Sequence, residues 1–328
     1  MAQIRPLAPE LAEVARTVNN EVESRIAGDI IELRQWIEDQ PYLTARTDDQ
    51  FLVGFLRFCK YDMDATKKRI DYYFTYKTTA GDLLKNRRLD DKVYGICRAG
   101  IFATLPKPVG PGGPRIHFTR MGHIDTSLYT AKDIFRFITF RSEIEANTDD
   151  NWIISGVLEI IDFSKIPYAL LRQFDANLFK KMAAFLEYGV PTNLVGTHIV
   201  NASMDAQIIL NLVRLVMKQK ELLHIHSSLE SLQKTIGKEY LPVEYGGNNG
   251  TYEEAMEHFE QQLNEFSDYF DEDEKYGVDE SLRQTITTTE ATVAAGTGAN
   301  KTTSTPVSPP SPKCVSVPEA SLRKLNID

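Results

Sequence analysis

Three short apolar runs, Ile153–Ile161, Val195–Val200 and Leu222–Ile225, constrain this chain more than any other feature. Two helical patterns separate them, and Leu241-Pro-Val-Glu-Tyr-Gly-Gly247 closes the stretch. Strand-length runs alternating with helix-length patterns predict parallel strands joined by right-handed crossovers, so the expected fold class is α/β. The intervening helices are more apolar than a simple cover for a sheet requires. Tyr168–Tyr188 carries Leu171, Phe174, Leu178, Met182 and Phe185, and Gly189 and Pro191 end it. The next helix, capped by Ser203, carries Ile208, Ile209, Leu212, Val213, Leu215 and Val216 before turning basic at Lys218 and Lys220. An apolar arc that wide means burial on more than one side, or burial against something that is not protein.

Ahead of this stretch, Leu11, Val14, Val18, Val22, Ile26, Ile30, Leu33 and Ile37 recur at spacings of three and four. They predict one long helix stopped by Pro41. Asp48–Lys60 and Asp64–Thr78 read as two further helices, completing a helical unit over 1–90. Ile101–Leu105 and Arg115–Arg120 read as strands around a Pro/Gly-rich loop, and Thr130–Ile144 reads as a helix. These open a second unit over 91–250. An acidic amphipathic helix, Tyr252–Phe270, falls in 251–276. From Gly277 the chain turns to Thr, Ala, Ser and Pro with few large apolar residues, so 277–328 is expected to be disordered.

Composition excludes several functions. The net charge of −9 argues against nucleic-acid binding. No run approaches the roughly 20 apolar residues of a membrane span. The N-terminus lacks a secretory signal, and no lipidation motif is evident. Cys59, Cys97 and Cys314 show no paired spacing, which suggests free thiols in a reducing cytoplasm. No G-x-S-x-G, G-x-G-x-x-G or G-x-x-x-x-G-K-[ST] occurs, so neither catalysis nor a cofactor is expected. His224 and His226 share a strand face but lack a convincing third ligand, so no metal is expected. Asp162, at a strand end, reads as a turn acceptor. Glu159 shares a face with Val157 and Ile161, and a buried carboxylate there needs a partner. That partner is either a nearby Lys, Arg or His, or the polar end of a bound lipid.

Together these residues resemble the CRAL-TRIO (Sec14-like) family of lipid-binding proteins, and most of all its animal tocopherol-transfer and retinaldehyde-binding branch. The resemblance rests on Leu33-Arg-Gln-Trp-Ile37, Phe51-Leu-Val-Gly-Phe-Leu-Arg57, Gly156-Val-Leu-Glu-Ile-Ile-Asp162, Val190-Pro, Gly196-Thr-His-Ile-Val-Asn201 and the closing signature, in that order. It implies a hydrophobic pocket under a mobile gate helix, here Met204–Leu223, with Ile208, Ile209, Leu212, Leu215 and Val216 facing the ligand. It implies pocket walls at Phe135, Ile138, Ser142, Val157, Ile161, Met182, Phe185, Leu186, Thr192 and Thr197, with Glu159 adding polarity to that of Ser142, Thr192 and Thr197. It further implies a monomer that carries a tocopherol-, retinoid- or isoprenoid-like lipid and touches membranes transiently. Its phosphoinositide site is matched by Lys218, and Lys60 lies beside another basic position. Asn193, Val195, Leu222 and Cys59 replace the remaining cations, and phosphate recognition rests on clustered cations. The rival expectation is a module of the same fold that binds a protein partner and fills its cavity with its own large side chains.

Overall fold

The computed structural model describes residues 2–80, 84, 87–173, 176–203, 210–211, 214 and 219–283, with the side chains at 176, 179, 183, 186 and 187 outside the description. The first helical pattern folds as two helices, α1 (Pro9–Val18) and α2 (Glu23–Glu38), rather than one. Asn20 between them takes a left-handed conformation, φ 60°, and its neighbour Asn19 is buried with its amide donating to the Arg57 carbonyl at 3.0 Å. The stripe nevertheless stays in phase: Leu11, Ile26, Ile30, Leu33 and Ile37 are all buried, while Val22 at the break is exposed.

Carboxylate caps set the next helices. Asp48 accepts from Phe51 N to start α3 (Asp49–Phe58), and Asp62 accepts from Ala65 N to start α4 (Met63–Thr79). A two-stranded ribbon joins this unit to the far end of the chain: β1 (Leu43–Thr44) pairs with a strand at Gly277–Val278. The segment Gly277–Arg283, expected to be disordered, is therefore ordered. Arg283 pairs with Asp71 at 2.6 Å, and the backbone N–H of Val278 donates to Thr78 Oγ1 at 2.9 Å, which offset the weak apolar content of the segment. The rest of the expected tail, 284–328, lies outside the described residues.

After α5 (Asp91–Arg98) comes a five-stranded sheet in the order β2 (Phe102–Thr104), β3 (Arg115–Arg120), β4 (Val157–Asp162), β5 (Leu194–Val200), β6 (Leu223–Ile225). Only β2 is antiparallel; β3 to β6 run parallel, as the alternating pattern predicts. The run Ile153–Ile161 divides. Ile153 and Ile154 end the short helix α7 (Asp150–Ile154), and Gly156, φ 85°, turns the chain into β4. A capping box of Thr130 and Asp133 opens α6 (Ala131–Thr148). The pattern at Tyr168–Tyr188 yields α8 (Tyr168–Leu171) and α9 (Ala176–Tyr188), separated by residues outside the description.

Each sheet face has its own core. Ile116, Phe118, Leu158, Ile160 and Val200 pack against α10 (Leu229–Ile236) and α11 (Tyr252–Glu265). The acidic helix thus ends at Glu265, and a separate short helix, α12 (Ser267–Asp271), follows. The opposite face carries His117, Glu159, Ile161, Thr197 and Ile199, and α6 and α9 provide the hydrophobic residues that pack there. No helix among the described residues is long and apolar enough to cross a membrane.

Candidate lipid-binding site

The register on the α6/α9 side of the sheet places Glu159 between His117 and Thr197, and Ile161 between Thr119 and Ile199. In a parallel sheet such neighbours point to the same side. Two hydrophobic clusters meet above them. Phe135, Val157 and Phe185 are buried together with Trp152 and Val190, and the Phe135 and Phe185 rings meet edge to face at 5.8 Å. Ile138 and Ile161 border the second cluster, with Ile199, Leu210 and Leu223. Leu178 and Met182 touch both. The structure therefore brings Phe135, Ile138, Val157, Ile161, Met182 and Phe185 into one region. Ile138, Ile161 and Met182 are only partly buried, although they lie over the middle of a sheet.

The three hydroxyl residues differ in what they offer. Ser142 and Thr197 are buried. Thr192 donates its hydroxyl to the Trp152 carbonyl at 2.7 Å, so that proton is already used. The side chain of Leu186 and the gate residues Ile208, Ile209, Leu212, Leu215 and Val216, with Lys218, lie outside the described residues. Lys60 sits in the left-handed turn after α3, φ 55°, and burial pushes its ammonium below the ordinary lysine value.

Glu159 is part of a polar group inside the domain. Its Oε1 lies 2.8 Å from His117 Nδ1 and 3.3 Å from Arg141 Nη2. His117 Nε2 is within ion-pair distance, 2.9 Å, of Glu145 Oε1, which also accepts the hydroxyl proton of Thr104. Burial and the Arg141 guanidinium push the His117 imidazole down, but the carboxylates of Glu145 and Glu159 outweigh them and hold it above its ordinary value. Burial raises both carboxyls, and the positive neighbours outweigh it, so both lie below the ordinary glutamate value. His117, Arg141, Glu145 and Glu159 therefore form a charge-balanced quartet. The sequence shows the signal only in part: Arg141 and Glu145 are four apart on α6, and His117 stands between Ile116 and Phe118 in β3. Nothing in that spacing says that 42 residues separate partners in contact, as the bond from His117 to Glu159 does.

Asp162 is a structural acceptor. It takes hydrogen bonds from Ser164 N at 2.8 Å, Asn201 Nδ2 at 2.9 Å and the Tyr245 hydroxyl at 2.5 Å. The last bond fixes the closing signature to the end of β4. Gly246 there is left-handed, φ 75°, and a Cβ on Gly247 would meet the Leu241 carbonyl oxygen at 1.9 Å, so the paired glycines are needed. Tyr245→Phe is expected to cost about 1.5–3 kcal/mol, the scale of a hydrogen bond to a charged group, measured by urea denaturation.

On the other face, His224 and His226 meet a third imidazole, His198. The rings of His198 and His224 stack at 4.7 Å, and those of His198 and His226 at 5.2 Å. His198 Nδ1 lies 3.0 Å from His226 Nε2, a hydrogen bond that leaves little room for an ion between them. Among the described residues no cluster of three metal-ligating side chains has the geometry to hold a metal.

The fold is thus an α/β domain with a mostly parallel sheet, a helical unit before it and a partly buried apolar face around one polar group. The CRAL/TRIO domain model matches residues 100–247, and a model described as "Pinta-like, UBA domain" matches 22–93. Clavesin-1 of Pongo abelii is 29% identical over 253 residues, covering 75% of this chain and 71% of that one. Clavesin-2 of Mus musculus is 29% identical over 291 residues, covering 83% of each. The solved structure of Sfh5 covers 76% of this chain and 92% of its own at a TM-score of 0.46 and 10% identity. Residues 100–247 thus carry a CRAL/TRIO domain, in a chain similar to the clavesins. The domain match supports lipid binding or transfer in general. The narrower tocopherol and retinaldehyde branch is not supported by these matches.

Proposed function

We propose that this protein encloses one small hydrophobic lipid, tocopherol-, retinoid- or isoprenoid-like, and carries it between membranes. One observation supports the reading above the others: Ile138, Ile161 and Met182 stay partly open over the centre of the sheet, where a finished core would close them. Burial of a lipid there is worth roughly 25 cal/mol per Å² of apolar surface, so release needs an opening event. The segment Met204–Leu223 is proposed as the gate, swinging aside at a membrane surface. The reading does not depend on a phosphoinositide, because Lys60 and Lys218 alone make a poor phosphate cluster.

Native mass spectrometry of freshly expressed protein, followed by lipid extraction, is expected to recover one lipid per chain. A cavity that stays empty with every lipid offered overturns the proposal. Crosslinking the gate segment shut is expected to stop transfer between liposomes; unchanged transfer would remove the gate. A second reading, a protein-binding module of the same fold, draws on the edge-to-face pair of Phe135 and Phe185, whose own rings fill one end of the region.

A further inference from the structure

The charge balance around Glu159 bears on the chemistry of the ligand. Glu159 lies on the central strand of the sheet, yet 23% of its side chain is exposed, against 3% for His117, 4% for Glu145 and 5% for Arg141. Its three partners are thus sealed in, and Glu159 alone reaches the partly open face. Oε1 holds both bonds to His117 and Arg141, and among the described residues Oε2 has no hydrogen bond within the protein. A carboxylate oxygen only accepts. Among the described residues Oε2 is therefore the charged acceptor on this face; the two nearest cations pair with carboxylates, and the remaining Arg141 donors, Nε and Nη1, are sealed in the interior.

We infer that the polar end of the bound lipid is an uncharged hydroxyl that donates to Oε2 of Glu159, so that lipid alcohols are held in preference to the matching carboxylic acids. This rests on the carrier reading above. A carboxylic acid brings a second negative charge beside Glu159, and like charges that close in a desolvated site disfavour each other strongly. It can bind only by taking up a proton, and Glu159 cannot share one readily, because His117 and Arg141 keep it ionised. An aldehyde avoids the repulsion but only accepts, so it leaves Oε2 without a donor. The alcohol satisfies Oε2 and adds no charge. Water reaches the partly exposed Glu159, which limits the preference, and at least about a tenfold difference is expected between alcohol and acid.

The test uses the full chain, stripped of lipid, with retinol, retinal and retinoic acid, and with hexadecanol and hexadecanoic acid, each displacing a fluorescent apolar probe at pH 7.5. The expected order is alcohol, then aldehyde, then acid in both chain types. Glu159→Gln, which removes the charge and supplies a donor, is expected to narrow the gap mainly by tighter binding of the acids. Acids that bind the wild-type protein as tightly as the alcohols overturn the inference while leaving the carrier reading intact. Failure of every lipid to displace the probe overturns the carrier reading, and the inference with it. The wild-type comparison decides the matter even where the variant folds poorly.

Discussion

Arg87→Met is expected to destabilise the protein by about 3–5 kcal/mol, the usual cost of stripping one partner from a buried ion network. Arg87 joins Glu143 of α6 to Asp273, which follows α12, and Lys77 of α4 reaches the same two acids. All four side chains are at most 5% exposed. The Arg87 guanidinium also lies 4.8 Å from the centre of the Phe140 ring and 5.2 Å from that of Phe270. Burial raises the Asp273 carboxyl, but Lys77 and Arg87 outweigh that effect and hold it below the ordinary aspartate value. Methionine keeps much of the volume and removes the charge, leaving two buried carboxylates with Lys77 between them and Arg46 4.0 Å from Asp273. Because the depressed Asp273 value belongs to the folded state, its contribution is present above the ordinary aspartate value and is lost as pH falls through the lowered one. Urea denaturation of wild type and variant at pH 7 measures the loss; a difference under about 1 kcal/mol would show that the network is not an integral brace. Replacing all four residues by apolar ones is expected to recover much of the stability, since desolvation of the charges is then avoided.

Polar contacts also explain why the end of the domain was hard to read. A hydrophobic count sees little in Gly277–Arg283, yet Arg283 pairs with Asp71 of α4, Val278 N donates to Thr78 of α4, and a short ribbon joins Gly277–Val278 to β1. The parallel sheet was legible because β-branched and apolar residues cluster in runs too short for helices. Boundaries failed where periodicity continues through a break. Val18 and Val22 keep the helical phase across Asn19 and Asn20, and Ile153–Ile161 reads as continuous although Ser155 and Gly156 divide helix from strand. Asp91–Arg98 and Leu229–Ile236 are eight residues each, too short for an apolar stripe to stand out. At the site, the apolar walls were legible by type. The quartet behind Glu159 was not, because its pairs are made by strand register and helix placement.

The largest effect of pH is expected from His198. It is 3% exposed, and burial, together with the nearby His224 and His226, pushes its imidazole down to about 3. Among the described residues, those two histidines are the titratable groups that act on it; Ser231, on α10, takes the far side of His226 at 3.1 Å and carries no charge. The unfolded chain protonates His198 near pH 6.5, while the folded chain resists. Between the two values the unfolded state binds more protons, so stability rises with pH and is lost as pH falls from about 6.5 towards the folded value. At pH 5 the loss from this group is about 2 kcal/mol relative to pH 7. His198→Gln keeps a donor for His226 and has no charge to acquire, so its stability curve is expected to be flatter over pH 5–7 by that amount. Urea midpoints of the two proteins at pH 5, 6 and 7 measure the difference, and parallel curves would mean that His198 takes up its proton inside the folded domain. The position of the group gives the effect a direction in space. His198 and His224 bridge β5 to the edge strand β6, which is held by only three register pairs and directly follows the proposed gate. Acid destabilisation centred there is expected to loosen the edge strand before the centre of the sheet, and with it the end of the proposed gate.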